Sequence, residues 1–278
     1  MSVDKSQDRI KRIFTEIASF YDKVNHLLSF NCDKRWREAV AKIVARNLFS
    51  GLHSPDKRVR LTSDCVMNVL DLCSGTGDQA IAVMRRLKQG SKIFCVDFTR
   101  EMLLLAREKF NKMQNIGVSY NVIIGNGFRL PFSDNRFDLI TISFGLRNMG
   151  DVVALTSRRP ESSSGRQDAD VTVDSALSEM KRVLKNGGKL CILEFSNPEN
   201  QVVKLIYRFY LEKIMAKIGN VITKSKEQAY SYLLASIKEW YKAGELKELM
   251  IRCGFQNVRI YKKSLGLVAI HIGEKDEE

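Results

Sequence analysis

Long apolar runs are missing from this chain of 278 residues. None approaches the ~18 to 20 consecutive apolar residues that a helix needs to cross a bilayer, so no membrane span is expected. The opening residues are charged and polar and lack the apolar core of a secretory signal, which predicts a cytoplasmic protein. Cysteine pairing is missing too. Cys32, Cys65, Cys73, Cys95, Cys191 and Cys253 form no C-x-x-C pair and no metal-ligand spacing, so no metal site is expected. Cys95 and Cys191 fall inside strand-like runs and read as buried thiols in a reducing compartment.

Acidic residues are in deficit. Asp and Glu number 32 against 45 Lys and Arg, a formal net charge of +13. That balance admits nucleic acid, an anionic membrane surface, or solvated faces coated with lysine. The charge is spread along the chain and not blocked, which fits the last of these. At 44% hydrophobic and 28% charged the chain is globular, of a length for one large α/β domain with additions.

The most informative stretch is Val-Leu-Asp-Leu-Cys-Ser-Gly-Thr-Gly-Asp, Val69–Asp78. An apolar strand runs into a Gly-x-Gly turn and then a helix, and Asp97 follows 20 residues after Gly77 at the end of the next apolar run. This is the pattern of a nucleotide-cofactor crevice at the carboxyl edge of a doubly wound sheet. Gly75 and Gly77 leave room for ligand against the backbone, and Asp97 is placed to accept both hydrogen bonds of a ribose diol. With Ala at position 80, the glycines alone do not exclude a dinucleotide. Asp71 and Asp78 argue against one, because a pyrophosphate would meet two carboxylates. They suit a ligand carrying an ammonium and a sulfonium, which points to S-adenosyl-L-methionine.

Residues 5–49 read as helices, with Ile10, Ile13, Phe14, Ile17, Phe20 and Tyr21 at helical spacing. Residues 50–66 form a basic connector, so residues 1–66 make a helical lid and connector and 67–278 the main domain. Strands are expected at Met67–Leu72, Lys92–Val96, Val118–Ile124, Phe137–Ser143 and Lys189–Phe195, with helices near 79–89, 100–114 and 174–185. That alternation implies a parallel sheet with right-handed crossovers. Lys185-Asn-Gly-Gly188 reads as a helix C-cap. Residues 155–173 read as a flexible loop, 201–240 as substrate-side helices, and Gln256–Tyr261 with Gly266–Ile272 as an antiparallel pair.

Three runs carry a resemblance: Asp71–Asp78, Gly125–Asp134 and Phe137–Asn148, the last containing Ser-Phe-Gly-Leu-Arg-Asn. With Arg182–Gly188, Leu193–Ser196, the N-terminal Phe20–Asn25 and Arg35–Arg37, and Val268–Gly273, the chain resembles the ubiquinone/menaquinone biosynthesis C-methyltransferases over nearly its whole length. The resemblance implies a class I S-adenosylmethionine-dependent methyltransferase fold, a Rossmann-like α/β seven-stranded sheet with an N-terminal helical lid. It implies cofactor contacts from Thr76, Asp97, Asn126, Gly127 and Ser143, beside Asp71, Gly75 and Gly77 of the turn; strand-end capping is the plainer role for Asn126 and Ser143. The departures are Asp33 where the family has histidine, Ala235 where it has glutamate, the Leu265-Gly266 pair, and enlarged connections at 50–66 and 155–173. None of them touches the expected cofactor residues.

The implied reaction moves a methyl group to a ring carbon of a reduced, prenylated quinone. Arg147 is the expected stabiliser of a developing phenolate, with Tyr21 or Asp22 of the lid holding the hydroxyl or relaying its proton; His271 reads as a packing residue. Expected partners are the prenylated quinol, peripheral contact of the basic 201–230 helix with an anionic membrane, and a second copy as a homodimer, but not nucleic acid. Three other functions stay open: a catalytically inactive subunit scaffolding quinone biosynthesis, an RNA or protein methyltransferase, and a nicotinamide dehydrogenase. Ser143–Arg147 lacks the Pro-Pro-aromatic run of amine methylation, and Asp71 and Asp78 weaken the last.

Overall fold

A computed structural model describes residues 4–49, 65–113, 117–150, 172–210, 213 and 229–276. Three helices lead: α1 (Gln7–Ile17), α2 (Tyr21–Leu28) and α3 (Cys32–Phe49). Ile10, Ile13 and Ile17 put one buried face on α1, as their spacing predicts. The alternating part then runs β1 (Asn68–Leu72), α4 (Asp78–Met84), β2 (Lys92–Asp97), α5 (Arg100–Asn111), β3 (Ser119–Ile124), β4 (Phe137–Ser143), α6 (Val173–Val183) and β5 (Leu184–Phe195). After it come α7 (Gln201–Tyr210), α8 (Ala229–Lys238), α9 (Ala243–Arg252), β6 (Phe255–Lys263) and β7 (Val268–Lys275).

The seven strands order as β3-β2-β1-β4-β5-β7-β6. β1 pairs in parallel with β2 and β4, while β7 is antiparallel to both β5 and β6. The terminal pair therefore closes the sheet as its two apolar runs predict. β1, β2 and β4 are buried on both faces, which is why they read as largely apolar runs without polar alternation. On one face Leu70, Val96 and Ile140 pack with Met180 of α6 and Leu249 of α9. On the other, Val69, Cys95 and Leu193 pack with Val44 of α3, Val83 of α4 and Phe110 of α5. A third cluster joins Ile13, Val24, Met102, Tyr230 and Ile237, and so roofs the sheet's carboxyl edge with α1, α2 and α8.

Lys185–Gly188 is not a helix cap. α6 stops at Val183, and the four residues form an irregularity inside β5, where the register to β4 jumps from Phe137↔Leu184 to Leu139↔Lys189. Gly187 does take positive φ, at 70°, but within the strand. The expected loop lies outside the described residues except for Thr172 and Val173, which cap and begin α6. Much of 201–240 also lies outside them, between α7 and α8. Cys95 and Cys191 are buried in β2 and β5, and burial pushes both thiols up, Cys191 to about 12.

Candidate active site

The strand order reverses between β1 and β4, and the loops leaving the carboxyl ends of the strands open a crevice there. A first cavity of about 770 Å³, its mouth included, is lined by Gly75, Asp97, Asn126, Gly127 and Ser143 among others. Five of the predicted cofactor residues are thus brought together at the carboxyl ends of four strands. Gly75 sits at φ +53 with nothing within 4 Å of where a Cβ would be, so its backbone faces open space. Gly127 is tight, since a Cβ there would lie 2.5 Å from Cε of Met149.

Asp97 is buried, and its two oxygens divide their work. One accepts the Gly75 N–H at 2.9 Å and the other the Thr99 N–H at 2.8 Å. Burial raises its carboxyl above the ordinary range while those donors pull it down. A carboxylate has about four lone-pair sites, so both oxygens retain capacity for a ligand diol. Ser143 Oγ donates to Gln79 Oε1 at 2.9 Å. The Asn126 side chain accepts the Phe128 N–H at 3.0 Å, and its amide donates to Gln7 Oε1 of α1 at 3.4 Å. Asn126 therefore caps its loop, lines the cavity and meets the lid.

Other predicted residues stand apart from the cavity walls. Asp71 accepts the Thr141 hydroxyl at 2.6 Å beneath the turn, and burial pushes its carboxyl up to about 7. Gly77, at φ +83, is pressed against α5, where a Cβ would meet Phe110 Cζ at 2.9 Å. Its glycine serves the turn and helix packing. Thr76 donates to Asp22 Oδ1 at 2.6 Å, and Lys109 Nζ bridges Asp22 and Asp78 at 2.7 and 2.5 Å. Asp22 thus ties the lid helix α2 to the cofactor turn and to α5. Asp22, His26 and Asp78 approach one another closely enough to resemble a cation site, but the Lys109 ammonium already supplies their positive charge.

A second cavity of about 860 Å³ lies beside the first and shares Phe14, Tyr21 and Phe144 with it. Its walls are largely aromatic: Trp36, Phe195, Tyr207, Tyr210, Tyr230 and Tyr232. Arg147 lines it, only 4% exposed. Its Nη1 donates to Glu194 Oε1 at 2.9 Å, its backbone N–H to Glu194 Oε2 at 3.3 Å, and its guanidinium sits 5.2 Å from the Phe195 ring centre. Arg147 Nε is buried without a hydrogen-bond partner among the described residues, which is costly unless a ligand supplies one. Burial raises the Glu194 carboxyl, while Arg147 opposes the shift. Burial likewise raises the phenol of Tyr21, at the junction of the two cavities.

Glu194, Tyr207, Tyr230 and Tyr232 were not among the predicted site residues. Glu194 had a signal, a lone charge inside the buried run of β5, which demands a partner. The three tyrosines had only their place in the substrate-side helices 201–240, because aromatics at helical spacing read equally well as core. On the lid, His26, Ser29 and Arg37 converge on Asp33 at 2.7, 2.8 and 2.8 Å. Burial would raise this carboxyl, but Arg37, Ser29 and His26 together hold it below its usual range. His271 lines neither cavity, and its Nε2–H donates to the Ala243 carbonyl at 2.8 Å.

The first cavity offers a buried carboxylate, backbone and hydroxyl partners, and apolar walls from Phe98, Met102, Phe128 and Met149, a donor set that fits an adenosine with a short charged arm. Comparison with known proteins agrees. The sequence profile of the ubiE/COQ5 methyltransferase family matches residues 1–159 and 166–275. The ubiquinone/menaquinone biosynthesis C-methyltransferase of Haemophilus ducreyi is 33% identical over 277 residues, 98% of this chain and 90% of that one. The demethylmenaquinone methyltransferase of Staphylococcus aureus is 33% identical over 273 residues, 98% of this chain and 95% of the other. The fold matches an S-adenosyl-L-methionine-dependent methyltransferase structure from Methanococcus maripaludis, with TM-score 0.52 and 16% identity over 100% of this chain and 98% of that one. The chain belongs to the ubiE/COQ5 methyltransferase family and is an S-adenosyl-L-methionine-dependent C-methyltransferase.

Proposed function

We propose that this enzyme methylates a ring carbon of a prenylated quinol, demethylmenaquinol or the equivalent benzoquinol, in the second cavity. The observation that carries the reading is the buried Arg147 in an aromatic-walled cavity that adjoins the cofactor cavity at Phe14, Tyr21 and Phe144. The names of the relatives in Haemophilus ducreyi and Staphylococcus aureus support it.

The cofactor supplies an electrophilic methyl group on its sulfonium. Asp97, Gly75, Asn126, Gly127 and Ser143 hold and orient it, with Asp71, Thr76 and Gly77 shaping the turn from behind. A hydroquinone carbon is a modest nucleophile until a neighbouring hydroxyl gives up its proton. The Arg147 guanidinium stabilises the phenolate that develops. Glu194 fixes the guanidinium through Nη1 and leaves Nε–H for the substrate oxygen. Tyr21, at the junction, hydrogen-bonds the hydroxyl or passes its proton on, and the lid excludes water from both cavities. Asp22 acts on this step through the lid, by tethering α2 to Thr76 and Lys109. The aromatic walls accept the ring and the first isoprene units.

A substrate with an isoprenoid tail partitions into bilayers, so the enzyme meets it at a membrane surface; no helix of the described residues is long and apolar enough to cross one. The test offers labelled cofactor with reduced demethylmenaquinol and a reduced benzoquinol in separate reactions, and locates the new methyl by mass spectrometry. Carbon-bound label on either ring supports the reading and names the ring. Label on neither, with the cofactor bound, rejects it in favour of a non-catalytic role or another substrate.

A further inference from the structure

Large apolar side chains stand in solvent on three elements around the second cavity. α7 is the first. Tyr207 and Tyr210 turn inward to the cavity wall, yet Val202, Leu205, Ile206 and Phe209 are 60–70% exposed. A helix apolar on both faces is enclosed or lies against something. The second is the turn between α2 and α3, where Phe30 is 77% exposed and its ring centre lies 6.2 Å from that of Tyr210, at the C-terminal end of α7. The Tyr210 hydroxyl, donating to the Leu28 carbonyl, ties the two elements together. The third is the turn between β6 and β7, where Leu265 is 79% exposed. That turn lies against the segment entering α7: a Cβ on Gly266 would lie 3.5 Å from Cα of Pro198, and Lys262 pairs with Glu199 at 2.6 Å.

Phe30 and Leu265 also share an unusual backbone. Their φ values are +51° and +58°, and the neighbouring Asn31 and Ser264 are at +57° and +46°. Bulky residues are strained there, and such strain gathers where the chain handles a ligand or a partner. Two independent turns, one at each end of α7, therefore hold bulky hydrocarbon outward at a conformational cost. Water gives no return on that arrangement, whereas an apolar medium does. The charge selects the medium. α7 contains no acidic residue, Lys204 on it and Lys213 beyond it are exposed, and the chain carries +13 overall.

We propose that α7, Phe30 and Leu265 form one surface that inserts into an anionic lipid monolayer, so that the second cavity opens toward the hydrocarbon. The purpose of this surface rests on the quinol reading of that cavity; its test does not. Apolar side chains at the acyl boundary and lysines at the headgroups are the physics of an interfacial helix.

The experiment uses the full chain and quinol-free vesicles of phosphatidylcholine, with and without phosphatidylglycerol. It compares the wild type with a double variant, Phe30→Asn and Leu265→Gly. Both replacements suit positive φ and lie outside the cavity walls, so the variant is expected to melt no lower than the wild type. The wild type is expected to co-sediment with the anionic vesicles and to be released by salt. The double variant is expected to partition roughly tenfold less for each apolar side chain removed. It should retain its turnover of a short-chain, water-soluble quinol. A wild type that stays in the supernatant with anionic vesicles overturns the proposal, as does a variant that binds as well as the wild type. Concentration-dependent dimerisation of the wild type that the variant abolishes also overturns it, by giving this face to a second copy. Because the vesicles hold no quinol, a wrong substrate leaves the binding result unmoved, and the short-chain assay reads the substrate question without a bilayer.

Discussion

At the scale of single residues, Arg147 and Glu194 form a buried ion pair on which the proposed chemistry rests, and their burial makes them interdependent. Removing one partner of a buried ion pair leaves an uncompensated charge and costs about 3–5 kcal/mol. Arg147→Ala alone is therefore expected to lose both turnover and stability. Arg147→Met combined with Glu194→Gln leaves no buried charge. It is expected to be more stable than Arg147→Ala by about 2 kcal/mol in urea unfolding, to bind cofactor as the wild type does, and to lack turnover. Turnover in the double variant would remove Arg147 from the mechanism. The sequence shows Arg147 as a candidate because it closely follows a strand that ends at the crevice. It does not show Glu194 as the partner, because the two are 47 positions apart and meet only once β4 and β5 pair. Asp71 was legible as a carboxylate by the turn, but its direction was not. In a strand buried on both faces either side is available, and here it faces Thr141.

Among the elements, α2 is joined to α4 and α5 by a charged cluster. Lys109 of α5 joins Asp22 of α2 to Asp78 of α4 and also donates to Thr76 at 3.1 Å. Without that ammonium, two carboxylates would face each other across the lid contact. Lys109→Met is expected to loosen α2, seen as faster amide hydrogen exchange across Tyr21–Leu28 with α5 and the sheet unchanged, and to raise the cofactor KM more than it lowers kcat. Unchanged exchange in α2 would show that apolar packing, through Val24 and Leu28, holds the lid alone. The strands and helices of the alternating part were legible because periodicity and length separate a buried strand from a helix. Lys185–Gly188 was misread for a physical reason: a glycine at positive φ serves a helix end and a strand irregularity equally well. α7 could not be assigned a facing from its pattern, since apolar residues occupy more than one side of it.

For the whole molecule, two buried groups set opposite limits on stability. Burial pushes Asp71 up to about 7 from 3.8, so its contribution is complete below the unfolded value and is lost as pH rises through about 7. His271 is lowered by burial to about 4 from 6.5, so its contribution is present above the unfolded value and is lost as pH falls through about 4. Asp71→Asn keeps an oxygen for the Thr141 hydroxyl and cannot ionise. In the absence of cofactor it is expected to be more stable than the wild type above pH ~7, by about 4 kcal/mol, and equal to it near pH ~4. A wild-type profile flat across that interval would show that Asp71 does not titrate there. The seven-stranded sheet and the cofactor crevice were legible because both follow from local patterns repeated along the chain. The helices around the second cavity were read as lid and substrate side, but its wall was not, because it is assembled by α1, α2, α3, α7 and α8 over the sheet edge, from residues up to about two hundred positions apart.

The most direct test of the two-cavity account is methyl transfer from labelled S-adenosyl-L-methionine to one prenylated demethylquinone, offered chemically reduced and, separately, oxidised. The account predicts label in the reduced ring and none in the oxidised one, since only the reduced ring has a hydroxyl whose charge Arg147 can stabilise. Equal labelling of both, or labelling of neither while the cofactor binds, would contradict it.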